Sequence, residues 1–282
     1  MQDLQSVLAR SASTLQTISD SATLDAEVLL CHVLEKNRSY LRTWPEKRLT
    51  NEQLRQFSRL LERRQQGQPI AYITGTREFW SRDFIVNPSV LIPRPDTETL
   101  IEVCLQLLES KPGAKLIDLG TGSGIIAITL AAEYSQLKVT AVDNSTEALD
   151  TAQNNAQLNH TPNIRFLNSN WLAEVPQEKF DFIVSNPPYI DVNDPHLSKG
   201  DVRFEPNSAL IAEQQGLQDI LDISQQSHQH LSHGGYLIFE HGYNQKQAVH
   251  DLLEQQQYQN IHCVHDLSGH PRVSYAQWLP QL

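Results

Sequence analysis

Asp118-Leu119-Gly120-Thr121-Gly122-Ser123-Gly124 lies between the apolar run Lys115–Leu119 and a helix-forming run at 123–134. A short apolar run that ends in alternating glycines and passes straight into a helix reads as a strand–turn–helix unit. The glycines let the backbone come close to a ligand, and the first N–H groups of the helix have no intrahelical partner. Outward from this unit the alternation repeats. A strand at 138–142 precedes a helix at 146–159, and a strand at 164–167 leads to one at 180–184. Helix 217–231 precedes strand 236–240, helix 245–257 precedes strand 261–267, and strand 273–279 comes last. This order predicts an α/β fold with a seven-stranded, mostly parallel sheet covered by helices on both faces. The last two strands, joined by the short Ser268-Gly269-His270-Pro271 stretch, predict an antiparallel edge.

Upstream the pattern changes. Residues 1 to 66 read as helical, with Leu24, Val28, Leu29 and Val33 forming one apolar stripe. Thr50 and Gln53 form a capping box that opens a helix over 51–66, and Gly67 with Pro69 closes it. Arg55, Arg59, Arg63 and Arg64 on that helix read as a solvated face. Segments 78–80 and 84–86 read as a hairpin or an extended linker, and Pro93 and Pro95 keep 90–95 extended. The expected organisation is a helical, substrate-docking domain over 1–70, a hairpin and extended linker over 71–95, and the α/β domain over 96–282.

Composition narrows the class. No run approaches the apolar length of a membrane span, and the first residues lack the charged and apolar regions of a signal peptide. Three cysteines, Cys31, Cys104 and Cys263, suit a reducing, cytoplasmic setting and form no ligand pattern. His228, His230 and His233 have no carboxylate or cysteine to complete a set, so no metal site is expected and they read as a solvated helix end. A net charge of −11 argues against stable nucleic-acid binding, which normally needs a basic face.

The second strand ends at Asp143, where a carboxylate can accept both hydroxyls of a ribose. Three readings of the glycine loop fit: a methyl-donor site, a nicotinamide dinucleotide site, or a purely structural turn. The dinucleotide fingerprint asks for Gly or Ala three positions after Gly122, where this chain has Ile125. The spacing instead resembles the S-adenosylmethionine loop of class I (Rossmann-like) methyltransferases.

The strand at 180–184 runs into Asn186-Pro187-Pro188-Tyr189. The prolines hold one extended path at a strand end where open sheets bind ligands. The chemistry accounts for the residue types. An amide nitrogen is a poor nucleophile because its lone pair is delocalised into the carbonyl. The Asn186 side-chain oxygen and the Pro187 carbonyl can each accept one N–H of a target NH2, aiming the nitrogen and stabilising the positive charge it develops. Tyr189 offers a ring against a planar amide or base.

These features resemble the HemK/PrmC family of peptide chain release factor glutamine N5-methyltransferases. The segment Val90-Leu91-Ile92-Pro93-Arg94-Pro95-Asp96-Thr97-Glu98 carries the likeness, with Ala71-Tyr72, Gly75, Glu78-Phe79 and Gly200-Asp201-Val202-Arg203-Phe204-Glu205-Pro206. The resemblance implies methyl transfer from S-adenosylmethionine to the glutamine of the Gly-Gly-Gln loop in class 1 release factors. It implies that Gly120, Thr121, Gly122, Ser123, Gly124, Asp143, Trp171 and Asn186 bind the cofactor, and that Asn186, Pro187, Pro188 and Tyr189 hold the glutamine. The catalytic group would be Asn186, Pro187 and Tyr189. Asn170 departs from the Asp the family carries there; its oxygen can still accept from an adenine amino group, without charge. A nucleic-acid amino-methyltransferase, acting on adenine N6 or guanine N2, would need the same two acceptors and is the alternative.

Overall fold

The computed structural model describes residues 2–280. The chain forms two compact units, Met1–Thr76 with Ser198–Phe204, and Arg77–Leu197 with Glu205–Leu282. The smaller holds α1 (Leu4–Leu15), α2 (Ala22–Leu34), α3 (Arg38–Thr43), α4 (Asn51–Gln65) and α5 (Ile70–Thr74). Asp3 caps α1 by accepting from the Ser6 N–H, and the Thr50–Gln53 capping box opens α4 as its spacing predicts. Leu4, Val7, Leu29, Leu30, Leu41, Leu49, Phe57 and Ile73 form its core.

Arg64 corrects the reading of a solvated arginine face. It is buried, with Nε donating to Asp25 at 2.8 Å and Nη1 to Asp201 at 2.9 Å. The helix periodicity turns Arg64 inward, and the buried Asp25 compensates its charge. Asp201 brings 198–204 into this unit, an attachment across 137 positions that local pattern cannot reveal.

The larger unit opens with a hairpin, β1 (Thr76–Phe79) and β2 (Arg82–Ile85). Its turn uses positive φ at Trp80 and Ser81. The hairpin forms where it is expected and is packed into the unit: Phe79 and Phe84 are buried in its main core and pack edge to face at 6.3 Å. The buried Asn155 side chain binds both the Ile85 N–H, at 2.6 Å, and its carbonyl, at 2.9 Å.

A 3-10 turn at Pro95–Thr97 leads into α6 (Glu98–Leu108), which the sequence reading leaves unassigned because no side chain caps its start. Next come β3 (Lys115–Leu119), α7 (Ile125–Glu133), β4 (Lys138–Asp143), α8 (Thr146–Leu158), β5 (Ile164–Asn168) and β6 (Phe180–Ser185). Short strands β7 (Ile190–Asp191) and β8 (Ile211–Ala212) pair in parallel. The chain continues through a tight turn, α9 (Glu213–Gly216), to α10 (Gln218–His230), β9 (Leu231–Glu240), α11 (Lys246–Gln255), β10 (Gln259–His265) and β11 (Pro271–Trp278).

The main sheet has seven strands in the order β10-β11-β9-β6-β3-β4-β5, and β11 is antiparallel to both neighbours. Successive residues of a strand face opposite sides. Leu116, Phe182 and Val184 therefore join α6 and α7 in one core, while Ile117, Leu119 and Ile183 join α10 and α11 in the other. The strand order reverses at β3, whose neighbours are β4 and β6. That reversal sets the glycine loop, Asp143 and Asn186 at adjacent carboxyl ends, where open α/β sheets bind ligands.

His228 and His230 are not a solvated helix end. The His228 ring stacks on Trp278 at 4.1 Å and meets the Gln256 carbonyl, and His230 is buried beside the Glu178 carbonyl. His233 lies in β9, not on the helix. Among the described residues, the group with metal-ligand spacing is His250, Asp251 and Glu254, largely exposed on α11. No described helix is long and apolar enough to cross a membrane.

Candidate active site

A cavity of about 250 Å³ opens at the carboxyl ends of β3, β4 and β6. Gly120, Thr121, Gly122 and Ser123 form one side of it, Asp143 and Trp171 another, and Asn186 and Pro188 a third. Gly124, Pro187 and Tyr189 are not part of its wall. At Gly124 a Cβ would meet Ile128 at 2.7 Å and Ala152 at 3.2 Å, so only glycine permits the close packing of α7 on α8 there.

Two carboxylates, one buried and one half-buried, hold the glycine loop. Asp118, wholly buried, accepts from the Thr121 hydroxyl at 2.6 Å and the Ala127 N–H at 3.3 Å. Burial pushes its pKa up to about 7. Asp143 accepts the Gly122 N–H on Oδ2 at 2.9 Å and the Ser145 N–H on Oδ1 at 3.0 Å. Burial raises its pKa too, against the pull of those N–H donors. Each oxygen keeps a further lone pair for a hydroxyl.

Trp171 sits at positive φ, and a Cβ on Gly120 would lie 3.1 Å from its ring. Asp219 lines the cavity, and burial, with Asp222 beside it, pushes its pKa up to about 6. Asn170 also lines the cavity.

At the tetrad, Asn186 Nδ2 donates to Thr97 Oγ1 at 3.4 Å. Tyr189 does not offer its ring to the cavity; its hydroxyl donates to the buried Glu240 at 3.3 Å. Gln245 Nε2 donates to the Tyr189 carbonyl at 3.1 Å, and Gly216 approaches so closely that a Cβ would lie 2.1 Å from that oxygen. Only glycine admits this contact. The extended segment before Thr97 is held likewise: Glu205, buried, accepts from the Ile92 N–H at 3.2 Å and from Arg94.

Thr97, Asp118, Asp219 and Glu240 are the site residues the sequence reading missed. Asp118 lies in the strand that leads into the glycine loop and Thr97 in the Val90–Glu98 segment, but nothing in their spacing marks them as inward-facing. Asp219 and Glu240 carry no local signal at all.

Residues 6–75 match the PrmC N-terminal domain family, and residues 96–200 match the Methyltransferase small domain family. A release factor glutamine methyltransferase of Aliivibrio fischeri is 49% identical over 279 residues, covering 98% of each chain. That of Vibrio cholerae serotype O1 is 51% identical over 264 residues, covering 93% of this chain and 92% of that one. Among solved structures, the ribosomal protein L11 methylase of Lactobacillus delbrueckii subsp. bulgaricus is similar, with a TM-score of 0.50 and 25% identity. That likeness covers 66% of this chain and 81% of the other.

Proposed function

The chain belongs to the release factor glutamine methyltransferase family, and from that premise we propose that it methylates the side-chain amide nitrogen of the glutamine in the Gly-Gly-Gln loop of class 1 release factors, with S-adenosylmethionine as donor. One observation carries the reading. The sheet reversal sets a glycine loop, a ribose-ready carboxylate and an amide acceptor around a single cavity.

The cavity suits this donor better than a dinucleotide. Two carboxylates, Asp143 and Asp219, line it against one cation, Arg94. That balance disfavours a pyrophosphate and favours a cationic ligand. Gly122, at φ +55, leaves open space where a side chain would stand. Asp143 would take the ribose hydroxyls, Trp171 and Asn170 would meet the adenine, and the glycine loop would admit the methionine portion. When bound, the donor supplies an electrophilic methyl group on a positively charged sulfur.

The residues of the chain do the rest. Asn186 Oδ1 and the Pro187 carbonyl accept the two N–H groups of the target amide and hold its nitrogen in line. As the nitrogen forms its bond to the methyl carbon and the methyl–sulfur bond breaks, positive charge grows on that nitrogen and both acceptors bind it more strongly. Their contribution therefore belongs to the transition state. The methylated nitrogen then gives up one of its two protons to water. Pro188 supplies an apolar wall, and Tyr189 keeps the tetrad in place through Glu240. The residues that line the cavity belong to the larger unit, and the helical unit is assigned to docking the protein substrate.

The test is mass spectrometry of a class 1 release factor after incubation with the enzyme and S-adenosylmethionine. A single added CH2 on the Gly-Gly-Gln glutamine is expected. An unmodified glutamine, with methyl groups found on nucleic acid added in parallel, would overturn the proposal in favour of base methylation.

A further inference from the structure

We propose that Arg94 receives the carboxylate at the amino-acid end of the donor and thereby makes the cavity select adenosine ligands that carry that end. The proposal rests on S-adenosylmethionine being the ligand of the cavity.

A glycine loop at a helix start can hold an anion on its free N–H groups. Three of those groups are spent within this chain. The Thr121 N–H donates to the Val142 carbonyl at 2.8 Å, and the Gly124 N–H to the Thr121 carbonyl at 2.8 Å. The Gly122 N–H donates to Asp143 at 2.9 Å. Asp143 and Asp219 also line the cavity, so an entering carboxylate meets like charge. Among the described residues that line it, Arg94 is the one cation.

Arg94 is held where it can meet such a group. Its Nη2 donates to Oε1 of Glu205, whose side chain has no exposure, against 32% for that of Arg94. Glu205 Oε2 accepts the Ile92 N–H at 3.2 Å, which ties the pair to the segment that supplies Val90, Leu91 and Pro93 to the cavity. A guanidinium has five N–H donors in a rigid plane. Those on Nε and Nη1 donate to no described residue.

One side of the guanidinium is thus fixed by a buried carboxylate, and the other remains for a second one. Two N–H groups in a plane match two carboxylate oxygens, and such bonds are charge-assisted. The charges agree as well. S-adenosylmethionine is positive at its sulfur and its amino group and negative at its carboxylate. The cavity presents the reverse, two carboxylates and one guanidinium. A nucleoside without the amino-acid end offers Arg94 nothing, so the residue separates the donor from other adenosine derivatives.

The test is calorimetric titration of the wild-type enzyme and of Arg94→Gln with two ligands. One is S-adenosylhomocysteine, and the other its decarboxylated analogue, which keeps the amine and lacks the carboxylate. The wild type should bind the analogue about 10- to 100-fold more weakly, the scale of a lost hydrogen bond to a charged group. In Arg94→Gln the affinity for S-adenosylhomocysteine should fall by the same order. That for the analogue should fall by less than about twofold, because the group Arg94 meets is absent from it. Arg94→Gln leaves Glu205 without its cation. The double variant Arg94→Gln with Glu205→Gln removes both charges and carries the same comparison should the single variant fail to fold. An equal loss for both ligands would make Arg94 a prop of its segment and overturn the proposal. So would an unchanged affinity for S-adenosylhomocysteine joined to weaker binding of the release factor, which would set Arg94 against the protein substrate. A wild-type enzyme that bound neither ligand would instead overturn the S-adenosylmethionine reading on which the proposal rests.

Discussion

Asparagine at position 143 should bind the cofactor no better than alanine does, although it copies the shape of the native aspartate. Asp143 uses both oxygens, one for the Gly122 N–H at 2.9 Å and one for the Ser145 N–H at 3.0 Å. A carboxamide has one oxygen, so its NH2 would point at one of those two donors. Alanine leaves room for water beside the same N–H groups; asparagine sets a donor against a donor. A hydrogen bond to a charged group contributes about 1.5–3 kcal/mol. Loss of the ribose contact should therefore weaken binding by about 10- to 150-fold for either variant, since 1.4 kcal/mol is a factor of ten. Calorimetric titration with S-adenosylhomocysteine at pH 8 measures it. Circular dichroism checks that both variants are folded. Should Asp143→Asn bind within twofold of wild type, the carboxylate would not be the ribose acceptor and the assignment of the cavity would fail.

Three further outcomes are expected. Asn155→Ala removes the partner of the Ile85 N–H and of the Ile85 and Ser123 carbonyls. It should lower stability to urea by about 2–4 kcal/mol, given what an unpaired buried polar group costs; a loss under about 1 kcal/mol would show that the hairpin is not anchored there. Arg64→Met leaves the buried Asp25 carboxylate with only the Ser19 and Ser21 hydroxyls and no countercharge, and should destabilise the helical unit by about 3–5 kcal/mol. Hydrogen exchange in α2 and α4 reports it, and unchanged protection would contradict the buried pair. The third concerns pH. Asp118 and Glu240 have pKa values raised by burial to about 7, so between their unfolded values and 7 the folded chain binds protons that the unfolded chain does not. Their contribution to stability is fully present below the unfolded values and is lost as pH rises through 7. The lowered histidines His228, His230 and His241 act in the opposite direction, but only below about pH 6.5. The melting temperature of the ligand-free protein should therefore fall between pH 6.5 and 8, and fall less in Asp118→Asn; a rise over that interval would mean the two carboxyls are not buried as described.

Local signals carried much of the reading. Alternating glycines after an apolar run mark a strand–turn–helix wherever they occur, because only glycine accepts such turns and close approaches. The prolines of Pro187-Pro188 limit the backbone by their own rings, and the Thr50–Gln53 box closes within one helical turn. Each of these is a property of neighbouring residues. Periodicity likewise placed the strands of the main sheet to within a few residues, apart from the early start of β9.

Tertiary structure decided what neighbours cannot. Glu240 looks like any strand-end acid in the sequence, and only the placement of β9 beside β6 buries it against Tyr189. Arg64 belongs to a helix rich in arginine, and only the folded unit turns it onto Asp25 and Asp201. His228 acquires its stacking partner from Trp278 on the last strand. The physical reason is common to all three. The charge state and role of a polar side chain depend on which distant atoms exclude water from it, and that is settled by packing between elements rather than by the order of residues along the chain.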